Sequence, residues 1–290
     1  MTGWTIGIIG GSGLYAVDGI EDGRWQTVET PWGTPSDAIY TGRVGHVGVA
    51  FLPRHGRGHR IAPSDLNARA NIDALKRLGV TDVLAVSSVG SLAETRPPGS
   101  FTVVDQFIDR TKGRPSSFFG TGLVAHVSMA DPVCRRLSRY AADAARDAGA
   151  QVDERGTYLA MEGPQFSTRA ESRLYRQWGC DVIGMTAMPE AKLAREAELP
   201  YALVGMVTDY DCWREDEDGV DVAQVLAQLD ANAAKARAMV MTLLRTLPLT
   251  RLASPIDDCL DSAILTARGA RDPALVAKLD AVAGRALSKM

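Results

Sequence analysis

Two carboxylates two residues apart, Asp209 and Asp211, close the stretch Val204-Gly205-Met206-Val207-Thr208-Asp209-Tyr210-Asp211-Cys212-Trp213, which begins as an apolar run. Side chains alternate along an extended chain, so the spacing predicts both acids on one face at the carboxyl end of a buried strand, with Thr208 and Tyr210 on the other. Open α/β sheets bind their ligands at the carboxyl ends of strands. Two close carboxylates repel, so one of them needs a proton or a donor partner. A heteroaromatic base with a basic ring nitrogen and an exocyclic amine supplies both. The competing reading is a solvated strand end running into Glu215-Asp216-Glu217-Asp218.

Three other strand ends carry groups suited to an anion. Thr5-Ile6-Gly7-Ile8-Ile9 reads as a buried strand and runs into Gly10-Gly11-Ser12-Gly13, a loop that can bring backbone N–H groups and the Ser12 hydroxyl close to a phosphate. The spacing Gly11-x-Gly13-x-x-Ala16 matches the dinucleotide fingerprint, but that motif needs a helix to follow. Gly19, Gly23, Pro31, Gly33 and Pro35 exclude one. Phe51-Leu52 leads into Arg54-His55-Gly56-Arg57-Gly58-His59-Arg60, where three arginines and two histidines among glycines suit an oxyanion. Val83-Leu84-Ala85-Val86 reads as a buried strand ending in a hydroxyl-rich loop, Ser87-Ser88-Val89-Gly90-Ser91. A plain tight turn competes for the first loop, and a solvated basic loop for the second.

The elements that must position these groups alternate between strand and helix. Residues 24–52 read as antiparallel strands with turns at Pro31-Trp32-Gly33 and Arg43-Val44-Gly45. Pro63-Ser64 opens a helix with Ser64 as N-cap, Ala68, Ile72, Leu75 and Leu78 as core face and Gly79 as its end. Phe101–Val104, Thr157–Met161 and Asp181–Thr186 read as strands, and 132–148, 169–178 and 189–198 as helices. Residues 109–131, with Arg114-Pro115 and His126, are irregular, and a long structureless stretch in a compact domain usually has a function. Residues 221–246 form an amphipathic helix with Val222, Val225, Leu226, Leu229, Ala233, Ala236, Val240 and Leu243 on one face, stopped by Pro248. Ser254-Pro255 and Asp272-Pro273 each predict an N-cap followed by proline at the first helical position, hence two short tail helices. The alternation predicts one α/β domain, a central mixed twisted sheet flanked by helices, over residues 1–249, with a helical C-terminal tail over 250–290.

Bulk properties narrow the partners. With 46% apolar and 23% charged residues the chain is an ordinary globular one. Its net charge of −3 comes without a basic stripe, which argues against nucleic acid, since phosphate neutralisation needs clustered Lys and Arg. The four cysteines (134, 180, 212, 259) are far apart and form no CxxC pair, so they read as reduced thiols and not as a metal site. No apolar run reaches membrane-spanning length, and the glycine-broken N-terminus lacks a basic leader. A cytoplasmic location is therefore expected.

Four motifs together resemble the trimeric purine nucleoside phosphorylases: Gly10-Gly11-Ser12-Gly13, Arg54-His55-Gly56, Glu162-Gly163-Pro164-Gln165-Phe166-Ser167, and Gly184-Met185-Thr186 with Pro189-Glu190. Thr208-Asp209-Tyr210-Asp211-Cys212-Trp213, with Asp105-Gln106-Phe107-Ile108-Asp109-Arg110-Thr111, looks like the methylthioadenosine phosphorylase branch, and the resemblance runs from residue 4 to about 273. It implies phosphorolysis of 5′-deoxy-5′-methylthioadenosine to adenine and 5-methylthioribose 1-phosphate, with inorganic phosphate as co-substrate, no metal and no organic cofactor. It also implies a homotrimer whose tail 250–290 packs on its own domain and on a neighbouring subunit.

Carried onto matching positions, the resemblance puts phosphate among Ser12, Arg54, His55, Ser87, Ser88 and Thr186. It puts ribose on Met185 and the purine against Phe166, with Asp209 at N7 and Asp211 at the 6-amino group. His126 would border the 5′-alkylthio group. Branches acting on 6-oxopurines usually carry Glu at the position of Ser167 and Asn at that of Asp209, so the chain's own residues favour a 6-aminopurine. A purine nucleoside or methylthioinosine phosphorylase, a phosphorylase of other 5′-substituted adenosines, and a catalytically silent nucleotide-binding module are the alternatives. The residues suit the chemistry on their own terms. The nucleophile is already an anion, so the protein has to position it and protonate the departing base across an oxocarbenium-like transition state.

Overall fold

The computed structural model describes residues 3–11, 19–214 and 222–289. In chain order the elements are β1 (Thr5–Gly10), β2 (Glu21–Gln26), β3 (Ile39–Val44), β4 (Val47–Pro53), α1 (Ala68–Arg77), β5 (Asp82–Ser91), β6 (Phe101–Val104), β7 (Gln106–Asp109) and α2 (Arg135–Asp147). Then follow β8 (Val152–Asp153), β9 (Thr157–Ala160), α3 (Arg169–Gln177), β10 (Val182–Gly184), α4 (Ala187–Glu196), β11 (Tyr201–Asp209), α5 (Val222–Thr246), α6 (Pro273–Lys278) and α7 (Asp280–Lys289). They build one mixed sheet with helices on both faces, the single α/β domain that the alternation predicts.

The sheet branches at β5. One path runs β2-β3-β4-β1-β5-β10-β9-β7, while β11 pairs with β5 and with β6, and β6 pairs with β8. The first half of β5 lies parallel to β1, and almost its whole length lies parallel to β11. Its last two residues turn antiparallel to β10, with Gly90 opposite Ile183 and Ser91 opposite Val182. A ten-residue strand can serve all these neighbours because it is apolar on both faces from Val83 to Val86. The stretch Ser87–Ser91, read from sequence as a loop, is therefore strand: the partners beside it impose extended backbone on residues whose own preference is for turns. Strands β1, β4, β5 and β11 run parallel, so their carboxyl ends meet at one edge.

Two apolar clusters cover the faces. Leu137, Ala141, Ala236, Val240 and Leu243 of α2 and α5 cover one. Ile72 and Leu75 of α1 and Leu193 of α4 cover the other, joined by Leu260, Leu279, Val282 and Ala286 of the tail. The tail is bolted down by charge as well. Glu198, 3% exposed, takes two bonds from Arg285, at 2.7 and 2.5 Å, and the Leu260 N–H at 3.0 Å.

Three local expectations give way. Ser64 caps nothing: Pro63–Asp65 is a short 3-10 turn, and α1 starts after Asn67, whose side chain accepts from Ala70 N–H. Ser254-Pro255 opens a string of turns and no helix, held by Asp257, which accepts from Ser254 N–H and from Arg251. Asp272 does cap α6, accepting from Ala274 N–H. On α5 the predicted core face holds from Leu229 onward, but Leu226 is 53% exposed; the first turns of the helix face an opening in the molecule.

Candidate active site

The parallel strand ends and the first turns of α5 enclose a cavity of about 450 Å³, within the usual range for small-molecule sites. One end is built for an anion. Arg54 follows β4, is 1% exposed, and has all five guanidinium donors committed within the protein. Nε and Nη2 donate to Glu190 of α4 at 3.0 and 3.3 Å, Nη1 to Val86 O and Ser87 Oγ at 3.0 and 2.9 Å, and Nη2 also to Ile9 O at 3.3 Å. Burial works against this charge, but Glu190 more than restores it, leaving the arginine pKa above its ordinary value. Tyr201 donates to the same Glu190 at 2.8 Å, and burial keeps its phenol protonated. Ser87 Oγ, oriented by Arg54, lies 3.3 Å from Thr186 Oγ1, and Ser88 faces the cavity beside it.

His55 lines the same end and stacks on His59, ring centroids 4.3 Å apart. Burial pushes its pKa down to about 4, against the hydrogen bond to the Ile61 carbonyl and with help from the Arg54 charge. A neutral ring whose Nδ1–H donates to Ile61 O at 2.9 Å fits that environment. It leaves Nε2 as an acceptor, so His55 adds no charge to the anion end.

At the other end sit the two acids, arranged differently from simple alternation. A bulge breaks the register of β11 between Val207 and Asp209, and the strand ends there. Asp211 stands in the left-handed region at φ 53°. Asp209, Asp211 and also Thr208 therefore line the cavity, whereas a continuing strand would have turned Thr208 away. The two carboxylates have different donors. Asp209 accepts from Thr208 Oγ1 and from Asp211 N–H, both at 2.7 Å, and Asp211 takes the Ser167 hydroxyl at 2.8 and 2.7 Å. Burial raises the Asp209 pKa, and the Asp211 charge adds to this against the two hydrogen bonds, so Asp209 holds a proton more readily than an ordinary aspartate. Gly90 of β5 lies beneath both: a Cβ there would stand 3.0 Å from Asp209 Oδ1 and 3.5 Å from Asp211 Cβ.

Met185 and Phe166 join the two ends, with Phe166 45% exposed toward the cavity. Gly163, at φ 70°, lets Met185 lie against the loop that carries Phe166; a Cβ would meet its sulfur at 2.4 Å. Val225, Leu226 and Leu229 of α5 form an apolar wall. Sequence reasoning assigned these three to the core face, because residues packed on a cavity and residues packed on a core share one periodicity. It also left Glu190 without a task, though the residue was visible within the Pro189-Glu190 motif.

Ser12 and the acidic run 215–218 lie outside the described residues; the neighbouring Gly11 lines the cavity. His126 is exposed, and its N–H donates to Ala263 O of the tail. It is not among the residues that line the cavity of this single chain. Among the described residues no group of His, Cys, Asp and Glu is arranged to hold a metal, and no helix is long and apolar enough to cross a membrane. The four cysteines are unpaired, three of them buried.

Residues 5–245 match the family model of the phosphorylase superfamily. The S-methyl-5′-thioadenosine phosphorylase of Cereibacter sphaeroides is 60% identical over 284 residues, covering 97% of this chain and 98% of that one. Among solved structures, a methylthioadenosine phosphorylase from an Antarctic soil metagenomic library superposes with a TM-score of 0.91 at 45% identity, over 97% of this chain and 99% of that one. A mutant adenosine/methylthioadenosine phosphorylase of Schistosoma mansoni, in complex with methylthioadenosine, gives 0.80 at 34% identity, over 99% and 100%.

The lowered His55 pKa carries a consequence for stability. An unfolded histidine takes up its proton near pH 6.5, whereas folded His55 resists until about 4, so acid favours the unfolded chain between those values. Stability should fall by about 1.4 kcal/mol per pH unit across that window from this group alone. His55→Gln should show a shallower loss between pH 6.5 and 4 in urea unfolding; an identical slope would remove His55 as the cause.

Proposed function

The chain belongs to the phosphorylase superfamily, and on that premise we propose that it cleaves 5′-deoxy-5′-methylthioadenosine with inorganic phosphate, giving adenine and 5-methylthioribose 1-phosphate. The observation that carries this reading is one cavity with an anion end at Arg54, Ser87 and Thr186, a carboxylate end at Asp209 and Asp211, and Met185 between them. Phosphate at the first end, met by the Arg54 charge and by the hydroxyls of Ser87, Ser88 and Thr186, attacks C1′ of a ribose lying on Met185. Ser12 and His55 complete that set. The C1′–N9 bond breaks as the C1′–O bond forms, and the electrons left on the purine are taken up by the proton that Asp209 delivers to N7. The purine lies against Phe166, and Asp211, fixed by Ser167, accepts from the 6-amino group. The apolar wall of Val225, Leu226 and Leu229 is the surface on this chain suited to a methylthio group. Phosphate is a co-substrate, and the reaction needs no organic cofactor or metal.

The full unit in this reading is a cytoplasmic homotrimer, with body 1–249 and tail 250–290 packing on its own domain and on a neighbour. Support comes from the exposed apolar pair Val124 and Leu265, 37% and 63% exposed, where the segment leading to His126 is bridged to the tail. A neighbour's His126 would then close the 5′ end of each site. Light scattering should return three chains per particle; a fully active monomer would refute the assembly.

The decisive experiment is adenine release from methylthioadenosine with and without phosphate. Release should require phosphate and yield the sugar phosphate; equal release in phosphate-free buffer would sink the reading. The base preference tests the acids separately. A carboxylate only accepts hydrogen bonds, so it opposes the 6-oxo group of methylthioinosine at a cost of about 1–3 kcal/mol, and methylthioadenosine should lead by roughly tenfold or more in kcat/KM. Asp211→Asn should narrow that gap. Asp209→Asn should lower kcat on both bases by about 10²–10⁴ and flatten the alkaline fall in rate that deprotonation of Asp209 produces. Equal use of both nucleosides by the wild type would remove the role of Asp211.

A further inference from the structure

Arg114 is a nearly buried cation, 6% exposed, to which the reading above gives no task. It lies in the irregular segment after β7, and that segment is fixed on either side of it by α4. Lys192 holds Asp109 at 2.5 Å, and Glu196 takes Ser117 Oγ and the Phe118 N–H at 2.7 and 2.6 Å. From this base the guanidinium reaches three main-chain carbonyls. Nη1 donates to Met185 O at 2.6 Å and Met188 O at 3.0 Å, and Nη2 donates to Glu162 O at 2.5 Å. Nε adds a bond to the Glu162 carboxylate at 3.1 Å, whose other oxygen accepts the Lys112 N–H at 2.6 Å. Burial works against the Glu162 charge, but these bonds hold its carboxyl below its ordinary value.

Two of these carbonyls, Glu162 and Met185, belong to loops that leave adjacent parallel strands, and the third, Met188, lies in the first turn of α4. The ladder between β9 and β10 ends at Ala160 and Gly184, and among the described residues the last main-chain bond across it is Met161 N–H to Gly184 O at 2.9 Å. Beyond that point the loops diverge into the site. One carries Phe166 and Ser167, the other Met185 and Thr186. Arg114 takes over where the ladder stops and ties the loops from outside, while Gly163 and Met185 touch from inside. A planar fork with five donors can meet several carbonyls at fixed angles; a lysine ammonium on a flexible stem cannot reproduce that arrangement.

We propose that Arg114 is a positioning residue, which sets the loop that holds the purine against the loop that holds the ribose and phosphate. The proposal rests on the site assignment of the preceding section. Either loop can still bind its own part of the substrates without the tie, but the glycosidic bond is then presented to phosphate out of line. Misplacement on the scale of 1 Å costs on the order of 10²-fold in rate.

The test uses the full chain with Arg114→Ala and Arg114→Lys. Dissociation constants for adenine alone and for phosphate alone should stay within about threefold of wild type, while kcat falls by about 10–100-fold in the alanine variant. Lysine should recover less than tenfold of that loss. If the alanine variant does not accumulate as folded protein, the lysine variant carries the test, with kcat at least about tenfold down and both affinities retained. A folded variant with wild-type kcat would overturn the proposal. So would a loss of adenine and phosphate affinity in proportion to kcat, which is the signature of general structural damage. Wild-type protein without phosphate-dependent cleavage would instead end the functional reading itself, so the two failures are distinguishable.

Discussion

A guanidinium shut away from water keeps its charge only when the protein supplies both a counter-charge and an acceptor for each donor. Arg54 meets that condition, and much of the molecule is arranged around the way it does so. Its acceptors come from β1 through Ile9, from β5 through Val86 and Ser87, and from α4 through Glu190. Four elements, β4 included, are thereby held at fixed separations at the edge where the parallel strands end. Glu190 also fixes the start of α4, and Thr186 is the residue that opens that helix. Ser87 and Thr186 stand 3.3 Å apart as a result of charge compensation one layer below the cavity.

The acids depend on a second constraint, the end of β11. A strand that continued through Asp211 would have placed Thr208 out of the site and left the two carboxylates stacked on one face. The bulge and the left-handed Asp211 instead separate their environments. Asp209 is buried over Gly90 and accepts two hydrogen bonds from its immediate neighbours, whereas Asp211 looks across to Ser167 on another loop. Two chemically identical side chains thereby sit in different surroundings, and burial together with the neighbouring Asp211 charge raises the Asp209 pKa.

Much of this was legible in the sequence, and the limits have physical causes. The apolar runs and their breaks located the main strands and helices of the body. The strand-end residues Arg54, His55, Ser87, Ser88, Thr186, Asp209 and Asp211 were visible as polar groups at the close of apolar runs, and the structure brings them to one cavity. What could not be read was anything decided by partners distant in sequence. Ser87–Ser91 became strand because β10 and β11 flank it. Leu226 left the core because its turn of α5 faces an opening. Ser64 and Ser254 look like helix caps, but a cap is used only where a helix follows, and packing placed the helices elsewhere. The commitment of every Arg54 donor involves residues up to 136 positions away, and no local pattern records it. His126 is a different case, since its side chain is exposed and lies outside the cavity of the single chain.

The tail has a consequence for how the molecule is made. Leu260, Leu279, Val282 and Ala286 belong to the same apolar cluster as Ile72 and Leu75, and Arg77 pairs with Asp280 across 203 positions. Synthesis delivers the amino-terminal part first, at about 5–20 residues per second. While residues 250–290 remain within the ribosome, the outer side of α1 lacks the tail side chains that cover it, and the buried Glu198 lacks Arg285. The nascent chain therefore carries an open hydrophobic flank until the tail segment emerges and folds onto it. Pairings this distant also make the final closure slow, since folding rates fall as contacts become less local.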